Sequence, residues 1–273
     1  MADSVARAIS ERDVRAMVRL LGEVPGTGGG QAAQKRCLMQ GLARLIGANC
    51  WIWGYCASLV PGKQPVYIGG IHGGFDNLRF ARFMAAVDHP EMAALTGPFA
   101  AELARSETHL TRLGHEIVDQ EAFVRSEAGR LWHEAGIGSI ILSYRPLPEE
   151  GRLSAAGLYR PTGRPLFTAR EARIAHIVLS EVPWLHQLGW PTERGPAVPA
   201  LGRRARTVLN LLLQGMSRKE IAAGFRIAEE TVNSHVKAVF RHFGVRARAD
   251  LIHRFFRGDG GDRPRRFAGS GAA

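Results

Sequence analysis

The chain lacks long apolar runs, paired cysteines and catalytic signatures. Its longest uncharged stretch is LIGANCWIWGYCASLVPG at 45–62. It carries Asn49, Pro61 and several glycines, which suits a loop-bounded strand better than a bilayer span. The first residues, MADSVARAISERDVRAMVRL, are charged throughout, without the apolar core of a signal peptide or membrane anchor. Three cysteines, Cys37, Cys50 and Cys56, are an odd number without metal-ligand spacing. They read as buried free thiols of a reducing cytoplasm in preference to redox sensors. The 32 Gly and 14 Pro follow no period, and no internal repeat is present.

Enzyme signatures are also missing. There is no G-x-S-x-G, Walker, dinucleotide-binding or paired-carboxylate motif. The GTGGG at 26–30 follows no strand and precedes no phosphate-binding Lys-Ser/Thr. GGIHGGF at 69–75 resembles an oxyanion-hole loop but has no nucleophile elbow, and reads as a turn. His72, His109, His115 and His133 are scattered without metal spacing, so they read as structural or surface residues and no cofactor is expected. An enzyme in residues 1–188 remains a competing class that requires a convergent polar cleft there. A module using its C-terminal helices for protein association is another, and it would bind no duplex at low salt.

What is present is an uneven charge. The 273 residues carry a net +11. From Leu201 onward 15 Lys/Arg face 6 Asp/Glu, a net +9, while residues 1–200 hold 21 and 19, a net +2. A near-neutral body with a small basic end is the footprint of polyanion binding. The two are joined by GWPTERGPAVPAL at 189–201, with three prolines and no apolar period. The domains expected are thus 1–188, a linker at 189–200, a helical domain at 201–257 and a disordered tail at 258–273.

Four helices are predicted in the basic end. RRARTVLNLLLQG (203–215) places Val208, Leu209, Leu212 and Leu213 at helical spacing and stops on Gly215. SRKEIAAGF follows with a Ser217/Glu220 capping box. The third runs from about Ala228 to Phe243 and ends at Gly244; the fourth spans 247–256. At about 100° per residue, Val232, Val236, Val239, Phe240 and Phe243 of the third helix form one stripe. Glu230, Ser234, Lys237 and Arg241 lie opposite, flanked by Thr231 and Asn233. A solvated face is one reading. A short helix, a tight turn at FRI and a longer helix with small, hydrogen-bonding residues in its exposed first turns favour a helix-turn-helix, whose second helix enters the major groove.

Residues 201–252 resemble the LuxR-type four-helix DNA-binding domain. The resemblance rests on Leu201, Arg204, Val208, Leu209 and Gly215, then S-x-K-E-I-A at 217–222, T-V-x-x-H-V at 231–236 and G-V-x-x-R at 244–248. It implies base reading by Asn233, Ser234 and Lys237. Phosphate contacts fall to Thr231, His235, Arg218, Lys219, Arg204 and Arg241. Glu230, on the same face, either accepts from a cytosine amino group or opposes phosphate. The family's dimer surface maps to Leu251, Ile252 and Phe255, which read equally as core. Two departures stand out. Gly202 and Ala205 replace the usual cap and acid of the first helix, and Ala228 replaces a Ser cap, costing roughly 1 kcal/mol. Glu229 and Glu230 offset this through the helix dipole.

The first 188 residues read as a leading helix with a Ser10/Asp13 box, a helix over QAAQKRCLMQGLARLIGA, and strands NCWIWGYCASLV and QPVYIGGI. Mainly helical sequence follows from Leu78 to about Glu134. Then come strands SIILSYRPL and RLSAAGLYR and a helix with a Thr168/Glu171 box. The order resembles a GAF/PAS-like sensor, an antiparallel sheet with helices on one face. The fold class expected is therefore α+β, this sensor joined to an all-α helix-turn-helix domain. A ligand pocket in it is expected among Trp51, Trp53, Tyr55, Tyr67 and Tyr144, residues that read equally as plain core. The Asp signature of a phosphoacceptor is absent, as is the Trp, Tyr and Asp-Pro spacing of acyl-homoserine-lactone receptors. The expected protein is a cytoplasmic transcription factor binding double-stranded DNA as a homodimer. A small-molecule effector and RNA polymerase are further candidate partners, and no membrane is expected.

Overall fold

The computed structural model describes residues 8–256 except 29, 59, 61–62, 64–65, 148–151 and 188–200. The first seven residues, the expected linker at 189–200 and the expected tail at 258–273 lie outside the described residues. The elements are helices α1 (Glu11–Glu23) and α2 (Gly30–Ile46), strands β1 (Cys50–Ser58) and β2 (Val66–Gly73), and helices α3 (Asn77–Val87), α4 (Glu91–Leu95) and α5 (Gly97–Arg105). Strand β3 (Leu110–Leu113) precedes the short helices α6 (Gly114–Ile117), α7 (Gln120–Arg125) and α8 (Glu127–Glu134). Strands β4 (Ser139–Pro146) and β5 (Leu153–Arg160) and helices α9 (Ala169–Ser180) and α10 (Pro183–Gln187) follow. The C-terminal helices are α11 (Arg203–Leu213), α12 (Arg218–Phe225), α13 (Glu229–Phe243) and α14 (Arg248–Phe256).

The five strands form one antiparallel sheet in the order β2-β1-β5-β4-β3. Helices cover both faces, where the sequence reading expected one. β1 supplies the reason: its alternate residues Trp51 and Trp53 pack with α1, α2 and α9, while Cys50 and Ile52 belong to the opposite core. Strand β3 lies within a stretch expected to be mainly helical, because four residues are too few to show a two-residue period.

The capping boxes at Ser10/Asp13, Thr168/Glu171 and Ser217/Glu220 all form. Asp13 also joins two helices. Arg170 of α9 donates Nε to its Oδ2 at 3.0 Å, which ties α9 to α1 and, with the Ser10 amide and hydroxyl, holds the carboxyl down at about 2.

The α1/α2/α9 side hides a polar cluster. Ser154 Oγ accepts from Trp53 Nε1 at 2.9 Å and sits 2.8 Å from His186 Nδ1. His186 Nε2 donates to the Leu179 carbonyl at 2.9 Å, so Nδ1 accepts and the ring is the neutral Nε2–H tautomer. His109 Nε2 lies 2.6 Å from Ser143 Oγ, and Thr111 bridges Ser143 to His176. Burial pushes His186 and His109 down to about 3 and lowers His176. The unfolded chain therefore binds more protons between roughly pH 6.5 and 3, so this stability is present above that window and lost on acidification through it. We expect the unfolding temperature to fall steadily from about pH 7 to about pH 4. A flat profile across that range contradicts a neutral cluster.

Candidate nucleic-acid interface and cavity

The C-terminal domain forms from local signals. Ser217 Oγ accepts from the Glu220 amide at 3.2 Å and Glu220 Oε2 accepts from the Ser217 amide at 2.7 Å, starting α12. The helix stops at Arg226, whose φ of 54° turns the chain left-handed into α13. Ala228 caps α13 without a side-chain hydrogen bond, leaving Glu229 and Glu230 to meet the helix dipole. Gly244, at φ 63°, ends it. Val232, Val236, Val239 and Phe243 are buried and Phe240 packs against the same cluster, the stripe the helical angle demands.

The opposite face is open. Glu230, Thr231, Ser234, Lys237 and Arg241 are exposed, and so are Arg218 and Lys219 in the first turn of α12. Asn233 and His235 are half-buried. Asn233 donates Nδ2 to Glu230 Oε2 at 3.5 Å, while its Oδ1 is buried without a partner. The Glu230 carboxylate thus touches the Asn233 amide rather than open solvent alone. Arg204 differs from the other phosphate candidates. Its Nη1 lies 3.8 Å from Asp88 Oδ2 at the end of α3, and its guanidinium stacks over Phe225 at 5.1 Å.

Leu251, expected at a dimer contact or in the core, is fully buried in the C-terminal core; Ile252 packs partly against it. The Phe255 side chain lies outside the described residues.

Helix α11 is buried on two sides. Val208, Leu209 and Leu212 serve the four-helix core. On the opposite side, about 180° away, Arg203, Thr207, Asn210 and Gln214 meet the N-terminal domain. Asn210 Nδ2 donates to the Tyr67 carbonyl at 2.9 Å, Gln214 Nε2 to the Gly70 carbonyl, and Arg203 Nη1 to the Asp88 carbonyl at 2.6 Å. Arg226 pairs with Glu134 of α8 at 3.2 Å, and Asn77 Nδ2 donates to Glu220. Gly224 of α12 sits so near Ala81 of α3 that an added Cβ would meet the Ala81 Cβ at 2.1 Å. One apolar cluster runs from Phe80, Phe83 and Trp132 into Leu209 and Val236.

This junction encloses a cavity of about 130 Å³ between the sheet, α3, α5, α8 and α11. Its floor is made by small residues on neighbouring strands: Gly54 pairs with Ala155, and Gly157 lies beside Ile52. Tyr67 and Tyr144 line it, their hydroxyls 3.0 Å apart. Trp51, Trp53 and Tyr55, expected with them, lie on the other face of the sheet. Two-residue alternation carries those three to the α2 side, where Tyr55 takes a 2.6 Å hydrogen bond from Lys35. Residues the sequence reading missed take their place, including Phe80, Phe99, Trp132 and Tyr159. The lining holds no carboxylate, imidazole, thiol or cation. Trp132 Nε1 is buried without an acceptor, a deficit worth about 1–3 kcal/mol.

An exposed polar helix face after a left-handed turn, on a basic four-helix unit, defines a helix-turn-helix regulator. The profile described as "Bacterial regulatory proteins, luxR family" matches residues 199–255. The spore germination protein GerE of Bacillus subtilis (strain 168) is 37% identical over 54 residues, covering 20% of this chain and 73% of GerE. The chain belongs to the LuxR family. The probable HTH-type transcriptional regulator GfsR of Streptomyces halstedii is 33% identical over 63 residues, 23% of this chain; the match spans 26% of GfsR. Escherichia coli SdiA aligns over 88% of this chain and 94% of its own at 17% identity, with a TM-score of 0.42. Among the described residues no helix is long and apolar enough to cross a membrane.

Proposed function

We propose that the protein is a sequence-specific, double-stranded-DNA-binding transcriptional regulator that acts as a homodimer and takes a small effector in its N-terminal domain. The observation that carries the DNA reading is the exposed Glu230/Ser234/Lys237/Arg241 face of α13, beside exposed Arg218 and Lys219. Asn233, Ser234 and Lys237 read bases; Thr231, His235, Arg218, Lys219 and Arg241 hold phosphates. Arg204 joins them once Asp88 releases it. An enzyme is disfavoured by a cavity lined without carboxylate, imidazole, thiol or amine. An association module is disfavoured because α13 presents no apolar outer face, while its apolar stripe is already used in the core.

Lys219→Ala is expected to weaken binding to specific and random duplexes alike and to lower the slope of log affinity against log salt by about one. Titrations of the full chain at two salt concentrations check this. A loss confined to one sequence contradicts the phosphate role, and no duplex binding at low salt contradicts the function.

A further inference from the structure

We propose that Glu230 is a specificity-determining residue, which together with Asn233 reads one C·G base pair of each half-site from the major groove. Glu230 accepts from the cytosine amino group, and Asn233, oriented by Glu230, donates to the paired guanine. The proposal rests on the reading of α13 as the helix that enters the groove.

Helix geometry puts the two residues side by side. At about 100° per residue, Glu230, Ser234, Lys237 and Arg241 fall within about 60° of one another, at the centre of the open face. Asn233 lies about 60° from Glu230 and about 20° from Phe240, at the rim where the open face meets the packed stripe. That place gives its amide two unlike ends. Oδ1 is buried and without a partner, while Nδ2 faces the Glu230 carboxylate at 3.5 Å. A buried Oδ1 accepts nothing from a base, so Asn233 presents a donor only. One N–H of Nδ2 serves Glu230 and the other is left for the groove. Glu230, exposed and ionised, presents acceptors only. The hydroxyl between them is already committed, since Ser234 Oγ donates to the Glu230 carbonyl at 3.2 Å.

The helix thus offers an acceptor and a donor about one hydrogen bond apart. A C·G pair offers the complement. Cytosine N4 is a donor and guanine O6 an acceptor, and because they bond each other they lie about 3 Å apart. The 3.5 Å from Glu230 Oε2 to Asn233 Nδ2 fits that spacing. An A·T pair also sets a donor beside an acceptor, adenine N6 and thymine O4. Beyond O4, however, stands the thymine methyl, whereas beyond guanine O6 stands a second acceptor, N7, for Asn233. The reversed G·C pair brings guanine O6 against the carboxylate. A carboxylate near phosphates also opposes any duplex whose amino group it does not meet, so Glu230 selects by rejection as well as by contact.

The test uses the full chain, an operator it recovers from a random duplex pool, single-pair variants of that operator and a random duplex, all titrated at one salt concentration. The wild type should prefer C·G over the other pairs at one position of each half-site, by roughly 5- to 150-fold. Glu230→Ala should lose that preference. Glu230→Gln should move it to A·T, since glutamine pairs bidentately with adenine N6 and N7. Both variants should bind random duplex several-fold more tightly, because a negative charge has left the neighbourhood of the phosphates. A glutamate that only meets the helix dipole would instead weaken both duplexes alike on removal. Asn233→Ala should lose preference at the same position, and the double variant with Glu230→Ala should lose no more than the larger single loss, as one unit does. A wild-type preference for another pair there, additive losses at separate positions, or weaker random-duplex binding by both Glu230 variants overturns the proposal and leaves DNA reading by α13 standing. Recovery of no operator overturns that reading as well.

Discussion

Lys237→Ala should remove base preference at one position of each half-site while leaving most of the affinity for random duplex intact. Lys237 is exposed in α13, three residues after Ser234, on the side opposite the buried valines. A Lys in that place donates to guanine N7 and O6, and such a contact discriminates by about 1–3 kcal/mol, roughly 5- to 150-fold. Asn233→Ala should relax a second position by a similar factor. Its effect carries a signature of its own, because Asn233 is bonded to Glu230 in the free protein. Glu230→Gln should then alter the preference at the Asn233 position as well as any position that Glu230 reads directly. Competition titrations with single-base variants of one operator measure these effects. Equal losses on operator and random duplex for Lys237→Ala and Asn233→Ala contradict the base-reading roles.

Arg160→Met should lower the stability of the N-terminal domain by about 3–5 kcal/mol, the cost of breaking a buried charge pair. The Arg160 guanidinium, at the end of β5, is 9% exposed and serves several partners at once. It donates to Ile46 and Gly47 carbonyls at the end of α2 (2.5 and 3.0 Å), and to Pro165 and Leu166 carbonyls before α9 (3.0 and 3.2 Å). It pairs with Glu171 Oε1 at 2.6 Å and stacks on Phe167 at 4.1 Å. Methionine keeps the apolar stem but strands the α2 carbonyls, which a helix end leaves without intrahelical partners, and the Glu171 charge. The urea midpoint of the full chain checks this. A change under about 1 kcal/mol contradicts the role of Arg160 as the tie between α2, β5 and α9.

The two halves of the chain were legible to different degrees, for a physical reason. In the C-terminal domain the signals are local: the Ser217/Glu220 box, the stops at Gly215 and Gly244, and the valine stripe of α13 each fix a boundary or a face within one element. The N-terminal strands were also legible, as the alternation in CWIWGYC shows. Which face of the sheet holds a cavity was not, because one strand's period cannot say what packs on either side. The signal lay across strands: Gly54, Ala155 and Gly157 are small residues on one face, far apart in sequence and adjacent in the sheet. The second buried face of α11 was hidden differently. Thr207, Asn210 and Gln214 are polar and carry no local sign of burial, yet Asn210 and Gln214 bond to another domain. For that reason the full chain, rather than its C-terminal part alone, is the proper object of the DNA experiments.

Selection of bound sequences from a random duplex pool, by the full chain and by its Lys237→Ala variant in parallel, tests the central claim most directly. The wild type should enrich a pseudo-palindromic site with two half-sites, and the variant should enrich the same site with one position in each half-site degenerate. No enrichment by the wild type, or the same site with every position kept by the variant, contradicts the assignment of α13 as the element that reads DNA.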